Sequence, residues 1–276
     1  MPELPEVEIV VRSLDQLLRG RAIRRAELRR KLLAPGTKPS VFAKRLSLAT
    51  INYVHRRGKH ILFDLSNGRT LIVHLRMSGR FALLEMEQEE PKFTHAVVHM
   101  DDGERLVFQD QRHFGFMNIV DTAKLFEAKE LSKLAPEPFS EEFGADHFRR
   151  LLKGTKRNIK QLLLDQTRVC GVGNIYASEA MFIAGVRPTA AGNRISARKA
   201  YALRVAIIDV LNETLELGSN IVLDRSNIGG NIYGPGSDAE WRVYGREGQP
   251  CPKCGSPIKR IVQGTRSTFF CGKCQR

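Results

Sequence analysis

The chain has 276 residues, with 44 Lys plus Arg against 30 Asp plus Glu and a formal charge of +14. That balance points to a polyanionic partner, and the length suits one large or two ordinary domains. No apolar run approaches the roughly 18 residues of a membrane span, and Glu3, Glu6 and Glu8 stand where a secretory signal would be positive, so a cytoplasmic location is expected.

The opening "ELPEVEIVVRSLDQLLRG" reads as a helix. Pro5 suits a first turn, and Val7, Val10, Val11, Leu14, Leu17 and Leu18 recur at helical spacing up to Gly20. The helix dipole accounts for Glu6 and Glu8. Glu3 precedes Pro5 and is less settled by it. If Met1 is removed, Pro2 carries a free secondary amine with Glu3 beside it.

From about Ile51 to Val120 the period changes to two. "HILFDLSNGRTLIVHL" is a strand, a turn at Ser66-Asn67-Gly68 and a second strand. "RFALLEM", "HAVVHMDDGERLVFQD" and "FGFMNIV" continue a mainly antiparallel region, with a turn at Asp102-Gly103, that fits a β-sandwich. "EAKELSKLAPEPFSEEFG" reads as a linker. Residues 145 to 217 read as helical, and "DRSNIGGNIYGPGSDAEW" as a long polar loop. The expected division is an N-terminal domain over 1–125, a linker over 126–144, a helical domain over 145–240 and a terminal module over 241–276.

Gly171-Val172-Gly173-Asn174 precedes a helical pattern, with Asn174 expected to cap it. The turn suits phosphate binding, and a plain helix cap explains it equally well. Lys156, Arg157 and Lys160 face the same region if the flanking helices pack closely. Cys170 reads as a small buried hydrophobe.

Four of the five cysteines fall within 251–276, as Cys251, Cys254, Cys271 and Cys274 in the pattern C-x2-C-x16-C-x2-C. Two close pairs supply a filled tetrahedral thiolate shell, which marks a structural zinc. Two disulfides are the alternative, and a reducing compartment disfavours them. With zinc bound, the net charge falls to about +12. Between the pairs a hairpin turning at Gln263-Gly264 carries Lys259, Arg260 and Arg266. These suit phosphate contact, or are solvated charges on a zinc ribbon.

Taken together, "PELPEVE", "GKHILFDL", "HLRMSG", "QDQRHFG", "VGNIYASEAMF", "VYGREGQPC" and the terminal finger resemble the bacterial formamidopyrimidine-DNA glycosylases and the related endonuclease VIII group. The pieces span nearly the whole chain in the family's order. Leu4, where the endonuclease VIII branch typically has glycine, favours the formamidopyrimidine branch. The resemblance implies an α+β multidomain fold. An N-terminal β-sandwich with flanking helices joins a C-terminal helical domain with a helix–two-turn–helix and a zinc-finger β-hairpin, and DNA lies in a basic cleft between them.

It further implies a bifunctional DNA glycosylase and AP lyase of base excision repair. The enzyme removes oxidised purines and cuts the strand by β,δ-elimination. The partner would be double-stranded DNA containing oxidised bases or abasic sites, engaged by a monomer near the nucleoid. No redox or nucleotide cofactor is implied. Pro2 would attack C1′ of the damaged nucleotide. A terminal amine has a pKa of about 7.7–8.0 against about 10.4 for lysine, so roughly a tenth of it is neutral at pH 7. Glu3 would be the neighbouring acid/base. Lys59 matches the family lysine of phosphate contact and proton transfer, and Arg266 the finger arginine that clamps phosphates.

Met77, Arg112 and Phe114 match the residues that fill the hole left by the extruded nucleotide. Lys160 and Asn174 match phosphate contacts around the helix–two-turn–helix. Lys156, His74 and His95 are further DNA-binding candidates. The family's usual D-P-R-R-F-G reads Asp110-Gln111-Arg112-His113-Phe114-Gly115 here, and the glycine-rich loop does not resemble the one that closes over 8-oxoguanine. A preference for ring-opened or further-oxidised purines is the resulting expectation. Rival readings are a pyrimidine-preferring endonuclease VIII-like enzyme, a non-catalytic zinc-finger DNA-binding protein, and an RNA-binding zinc ribbon. The last leaves "MPELPEVE" unexplained.

Overall fold

The computed structural model describes residues 1–218, 224–228 and 241–276. The chain divides into two compact units, Met1–Ser132 with Gly218–Ser237 and Lys133–Leu217 with Asp238–Arg276.

The first unit opens with helix α1 (Leu4–Leu18). Glu3 is its N-cap, and the Glu3 N–H donates to Glu6 Oε2 at 2.7 Å in a reciprocal capping box. This settles the structural role of Glu3. Leu4, Val7, Val10, Val11, Leu14 and Leu18 form the buried stripe. Gly20, at φ 81°, turns the chain out of the helix.

Strand β1 (Ile23–Leu28) and helix α2 (Pro39–Leu46) follow, and neither is foreseen from the sequence. Seven further strands come next: β2 (Ile51–Arg57), β3 (His60–Leu65), β4 (Arg69–His74), β5 (Gly79–Leu84), β6 (Thr94–Met100), β7 (Arg105–Asp110) and β8 (Phe116–Asp121). They form two four-stranded antiparallel sheets, ordered β1-β6-β7-β5 and β2-β3-β4-β8. One apolar core joins the inner faces: Ala26, Phe81 and Phe108 from the first sheet, Val54, Phe63, Val73 and Ile119 from the second. Phe81 stands edge-on to Phe63 at 5.8 Å and to Phe108 at 5.2 Å. The expected β-sandwich is present. Residues 224–228 lie along the β5 edge, where Arg225 O accepts from Leu83 N and Phe81 O from Ile228 N.

The second unit holds α3 (Ala145–Lys153), α4 (Ile159–Leu164), α5 (Asn174–Ile183) and α6 (Ala197–Gly218). The hairpin of β9 (Ile258–Gln263) and β10 (Arg266–Cys271) completes it. Within 126–144, the expected linker, Leu131, Ala135 and Phe143 are buried. Among the described residues no helix is long and apolar enough to cross a membrane.

Candidate active site and nucleic-acid interface

Three contacts set the direction of α1 on the sandwich. Arg56 Nε donates to Glu8 at 2.9 Å, Val54 N to Asp15 at 2.8 Å, and Gly20 N to Ile51 O at 2.8 Å. The N-terminal end of α1 therefore lies beside the C-terminal end of β2. The chain turns there through Gly58, at φ 60°, and Lys59 into β3. Glu3 and Lys59 thus share one end of the sandwich, and both are buried, 3% and 5% exposed. Pro2 is half-buried at the same end.

Strand register adds the remaining candidates of this unit. His60 begins β3 beside the end of β4, and His74 is paired with Phe116 at the start of β8. The His74 ring stands edge-on to His60 at 4.8 Å, and its Nδ1 accepts the Arg76 N–H at 3.0 Å. Burial, aided by His60, Arg76 and Lys59, pushes the His74 imidazole down to about 2. It is neutral at physiological pH, with its proton on Nε2, and so is a hydrogen-bond donor without charge.

The two turns at this end carry exposed apolar side chains. Met77 lies between β4 and β5, and Phe114 between β7 and β8, with 49% and 57% of their surfaces exposed. Neither is a core residue. The Arg112 guanidinium lies over the Phe114 ring at 5.4 Å. Beneath them Asp110, almost fully buried, binds both turns. Its carboxylate accepts the Ser78 hydroxyl, the Arg112 N–H at 3.2 Å and the Gly115 N–H at 2.6 Å. Gly79 has no room for a side chain: a Cβ would sit 2.4 Å from Leu75 O. His95 is buried below the same turn, with Nε2 2.9 Å from Asp110 O and 2.8 Å from His113 Nδ1.

In the second unit, Asn158 caps α4 through its side chain, accepting from Gln161 N at 2.9 Å. Lys160 on that helix is fully buried. Its ammonium donates to Asn174 O at 3.1 Å and Ser178 Oγ at 2.6 Å, holding the first turn of α5. The expectation that Asn174 caps α5 is corrected: Gly173 is the N-cap, in extended backbone, and Asn174 is the first helical residue. Its amide is turned away to donate to Ser267 O at 3.0 Å. That bond seats the turn end of the finger hairpin on α5, next to exposed Arg266. Lys156 is exposed in the turn before α4, while its neighbour Arg157 is paired with Asp165 at 2.9 Å. Cys170 is buried, as expected.

The four cysteine sulfurs all lie within 4.8 Å of one another, with Cys251–Cys274 at 3.9 Å and Cys254–Cys271 at 3.5 Å. A tetrahedral zinc with bonds of about 2.3 Å has sulfur–sulfur edges of about 3.8 Å, so the donor set fits one structural zinc. Glu179 is the residue of this unit that sequence reasoning missed. Fully buried on α5, it accepts N–H groups from Arg242 at 2.8 Å and from Val243 and Tyr244 at 2.9 Å. It fixes the chain entering the finger.

Three domain matches run through the chain. Residues 1–117 match the formamidopyrimidine-DNA glycosylase N-terminal domain, 134–226 the H2TH domain of the same glycosylase, and 248–276 a zinc finger found in FPG and IleRS. The fold and site thus define a zinc-finger DNA glycosylase of base excision repair. The formamidopyrimidine-DNA glycosylase of Bacillus licheniformis is 41% identical over 277 residues, covering all of both chains. That of Bacillus subtilis is 38% identical, covering 100% of this chain and 99% of the relative. The wild-type Lactococcus lactis Fpg (MutM) in complex with an N7-benzyl-Fapy-dG containing DNA superposes with a TM-score of 0.90 at 33% identity, with both chains fully covered. The same protein with an abasic site containing DNA gives 0.90 at 32%, covering 99% of each chain. The chain belongs to the formamidopyrimidine-DNA glycosylase family.

Proposed function

We propose that the protein binds duplex DNA carrying oxidised purines or abasic sites, excises the damaged base and cuts the strand. The observation that carries this reading is the placement of buried Glu3 and Lys59 at the end of the sandwich where α1 and Pro2 begin. Full-length family membership supports it.

Once Met1 is removed, the Pro2 nitrogen forms a bond to C1′ of the damaged nucleotide. The glycosidic C–N bond breaks with its electron pair, and the base leaves after taking a proton. Glu3 supplies the proton to the ring oxygen as the sugar opens. The resulting iminium acidifies C2′: loss of a C2′ proton expels the 3′ phosphate, and loss of the C4′ proton from the conjugated product expels the 5′ phosphate. Lys59 contacts phosphate and moves protons in these steps, and Arg266 clamps the phosphates at the lesion. Met77, Arg112 and Phe114 occupy the space of the extruded nucleotide. His74 offers a neutral N–H to a phosphate, and His95, Lys156 and Asn174 add DNA contacts. Lys160 acts on the DNA through the Asn174 turn that it holds. When bound, zinc keeps the finger hairpin folded.

On this reading residues 1–125 carry the chemistry, 126–144 link the domains, 145–240 form the helix–two-turn–helix domain and 241–276 the finger. The protein works as a monomer in the cytoplasm, at the nucleoid. The preference for ring-opened or further-oxidised purines rests partly on the glycine-rich loop, most of which lies outside the described residues. Single-turnover rates on each lesion test that preference, and faster 8-oxoguanine excision overturns it.

Borohydride trapping tests the chemistry. Wild-type protein should become covalently joined to lesion DNA through residue 2, with Met1 absent by intact mass. Fully active protein that retains Met1 would sink the mechanism.

A further inference from the structure

His113 stands between the two wedge residues Arg112 and Phe114, and its backbone is left-handed, at φ 61°. Side chains other than glycine are uncommon in that region, though histidine enters it more readily than most. Here the surroundings are specific. His113 Nδ1 lies 2.8 Å from His95 Nε2, the two rings stand 4.9 Å apart, and the Phe93 ring meets His113 edge-on at 5.8 Å. Phe93 is itself left-handed, at φ 64°.

The proton positions follow from the partners. His95 Nε2 also lies 2.9 Å from Asp110 O, and a carbonyl oxygen can only accept. His95 Nε2 therefore carries the proton and shares it between Asp110 O and His113 Nδ1. His113 Nδ1 is then an acceptor. The proton of neutral His113 is on Nε2. Burial lowers the His95 pKa, and the hydrogen bond to the Asp110 carbonyl opposes this. Neutral His95 makes one bond to each side of the turn, so the backbone before Arg112 and the side chain after it are tied to β6 together.

We propose that His113 is a positioning residue, latched through His95 to β6 so that Arg112 and Phe114 are set for insertion before DNA arrives. The inference rests on the wedge assignment made above. It differs from the Asp110 network, which binds the turn through backbone N–H groups: the latch binds the one side chain that lies between the two wedge residues.

The test uses full-length protein and a duplex carrying a tetrahydrofuran abasic analogue, with 2-aminopurine next to the orphaned base. Stopped-flow fluorescence then reads insertion with no excision. His113→Gly keeps φ 61° without strain, so a purely conformational role predicts insertion at the wild-type rate or faster. The latch predicts insertion slowed about five- to tenfold, the scale of one lost hydrogen bond. His113→Asn tolerates the left-handed backbone and places an amide oxygen near the Nδ1 position. It should restore the rate to within about twofold of wild type. His95→Phe should slow insertion at least as much as His113→Gly, and adding His113→Gly to it should slow insertion no further.

Wild-type insertion by His113→Gly overturns the latch. So does an Asn variant as slow as the Gly variant. Additive effects in the double variant overturn it as well. Because the analogue cannot be excised, wild-type protein that inserts but excises no lesion would overturn the proposed chemistry alone. Absence of any insertion signal in wild-type protein would overturn the wedge and the latch together.

Discussion

Asp110 and Gly115 are joined by a 2.6 Å hydrogen bond from the glycine N–H to carboxylate Oδ2, and a Cβ on Gly115 would lie 2.8 Å from the Phe108 ring. The turn that presents Phe114 is thus closed by a buried acceptor on one side and a core aromatic on the other. Asp110→Asn leaves one acceptor oxygen where two serve the Ser78 hydroxyl and the Arg112 and Gly115 N–H groups. The expected cost is about 1–3 kcal/mol of stability. Urea denaturation checks it, and lesion excision should slow in the same variant. An unchanged midpoint would mean the network contributes little.

Glu179 makes the equivalent closure in the second unit, with three backbone N–H groups of residues 242–244 on one buried carboxylate. Glu179→Gln turns an amide N–H toward at least one of those donors. We expect a loss of about 1–3 kcal/mol and faster hydrogen exchange at Val243 and Tyr244. Unaltered exchange there would remove Glu179 from this role.

Much of this architecture was legible in the residues, and the exceptions have causes. The apolar spacing from Val7 to Leu18 and the prolyl first turn mark α1. The Ser66-Asn67-Gly68 and Asp102-Gly103 turns divide the strands, and the cysteine spacing marks the finger. Strand β1 is hidden because Arg24, Arg25 and Glu27 occupy three of its six positions and a register shift between Ile23 and Arg25 breaks the alternation. Helix α2 is short and begins behind Lys38, which offers no capping side chain. Asp110 and Glu179 escape notice for another reason. Apart from the Ser78 hydroxyl on Asp110, their partners are backbone N–H groups, and those of Glu179 lie 63 to 65 positions away. Any residue type supplies such a donor, so no pattern announces the contact.

Acid should weaken the first unit through His74. Its ordinary pKa is about 6.5, and in the fold burial takes it to about 2. The neighbouring His60 is lowered, again mainly by burial, to about 4. Below pH 6.5 the unfolded chain binds protons that the fold refuses. Stability is therefore complete above that pH and falls progressively below it, with the window reaching down to the folded values. For His74 alone the loss between pH 7 and pH 5 is about 2 kcal/mol. His74→Asn should flatten that dependence in urea titrations at the two pH values. An equal drop in wild type and variant would place the effect elsewhere.

Removing zinc should release the finger without melting the sandwich. The hairpin of β9 and β10 adds only Ile258, Phe270 and Cys271 as buried apolar residues, so the metal supplies most of its stability. With a chelator, or in Cys254→Ser, amides of 258–271 should lose exchange protection while the strands from Ile51 to Asp121 keep theirs. DNA affinity should fall with it, since Arg266 and the Asn174–Ser267 bond depend on the hairpin. Retained protection in the hairpin would show that it folds unaided.

Glu3 carries two tasks that one substitution can separate. As N-cap it is a hydrogen-bond acceptor for Glu6, and as proton donor it needs an ionisable carboxyl. Glu3→Gln keeps an acceptor oxygen of the same reach, so α1 should remain capped and the melting temperature should shift little. The amide cannot deliver a proton at neutral pH, so base excision should slow by about 10²- to 10⁴-fold. A preformed abasic site needs no base departure. Its open-chain aldehyde is attacked by the Pro2 amine directly, so borohydride trapping on that substrate should survive in the variant. If the melting temperature collapses, the cap is the dominant role of Glu3. If excision and trapping fall by the same factor with the fold intact, Glu3 serves the amine itself rather than the departing base.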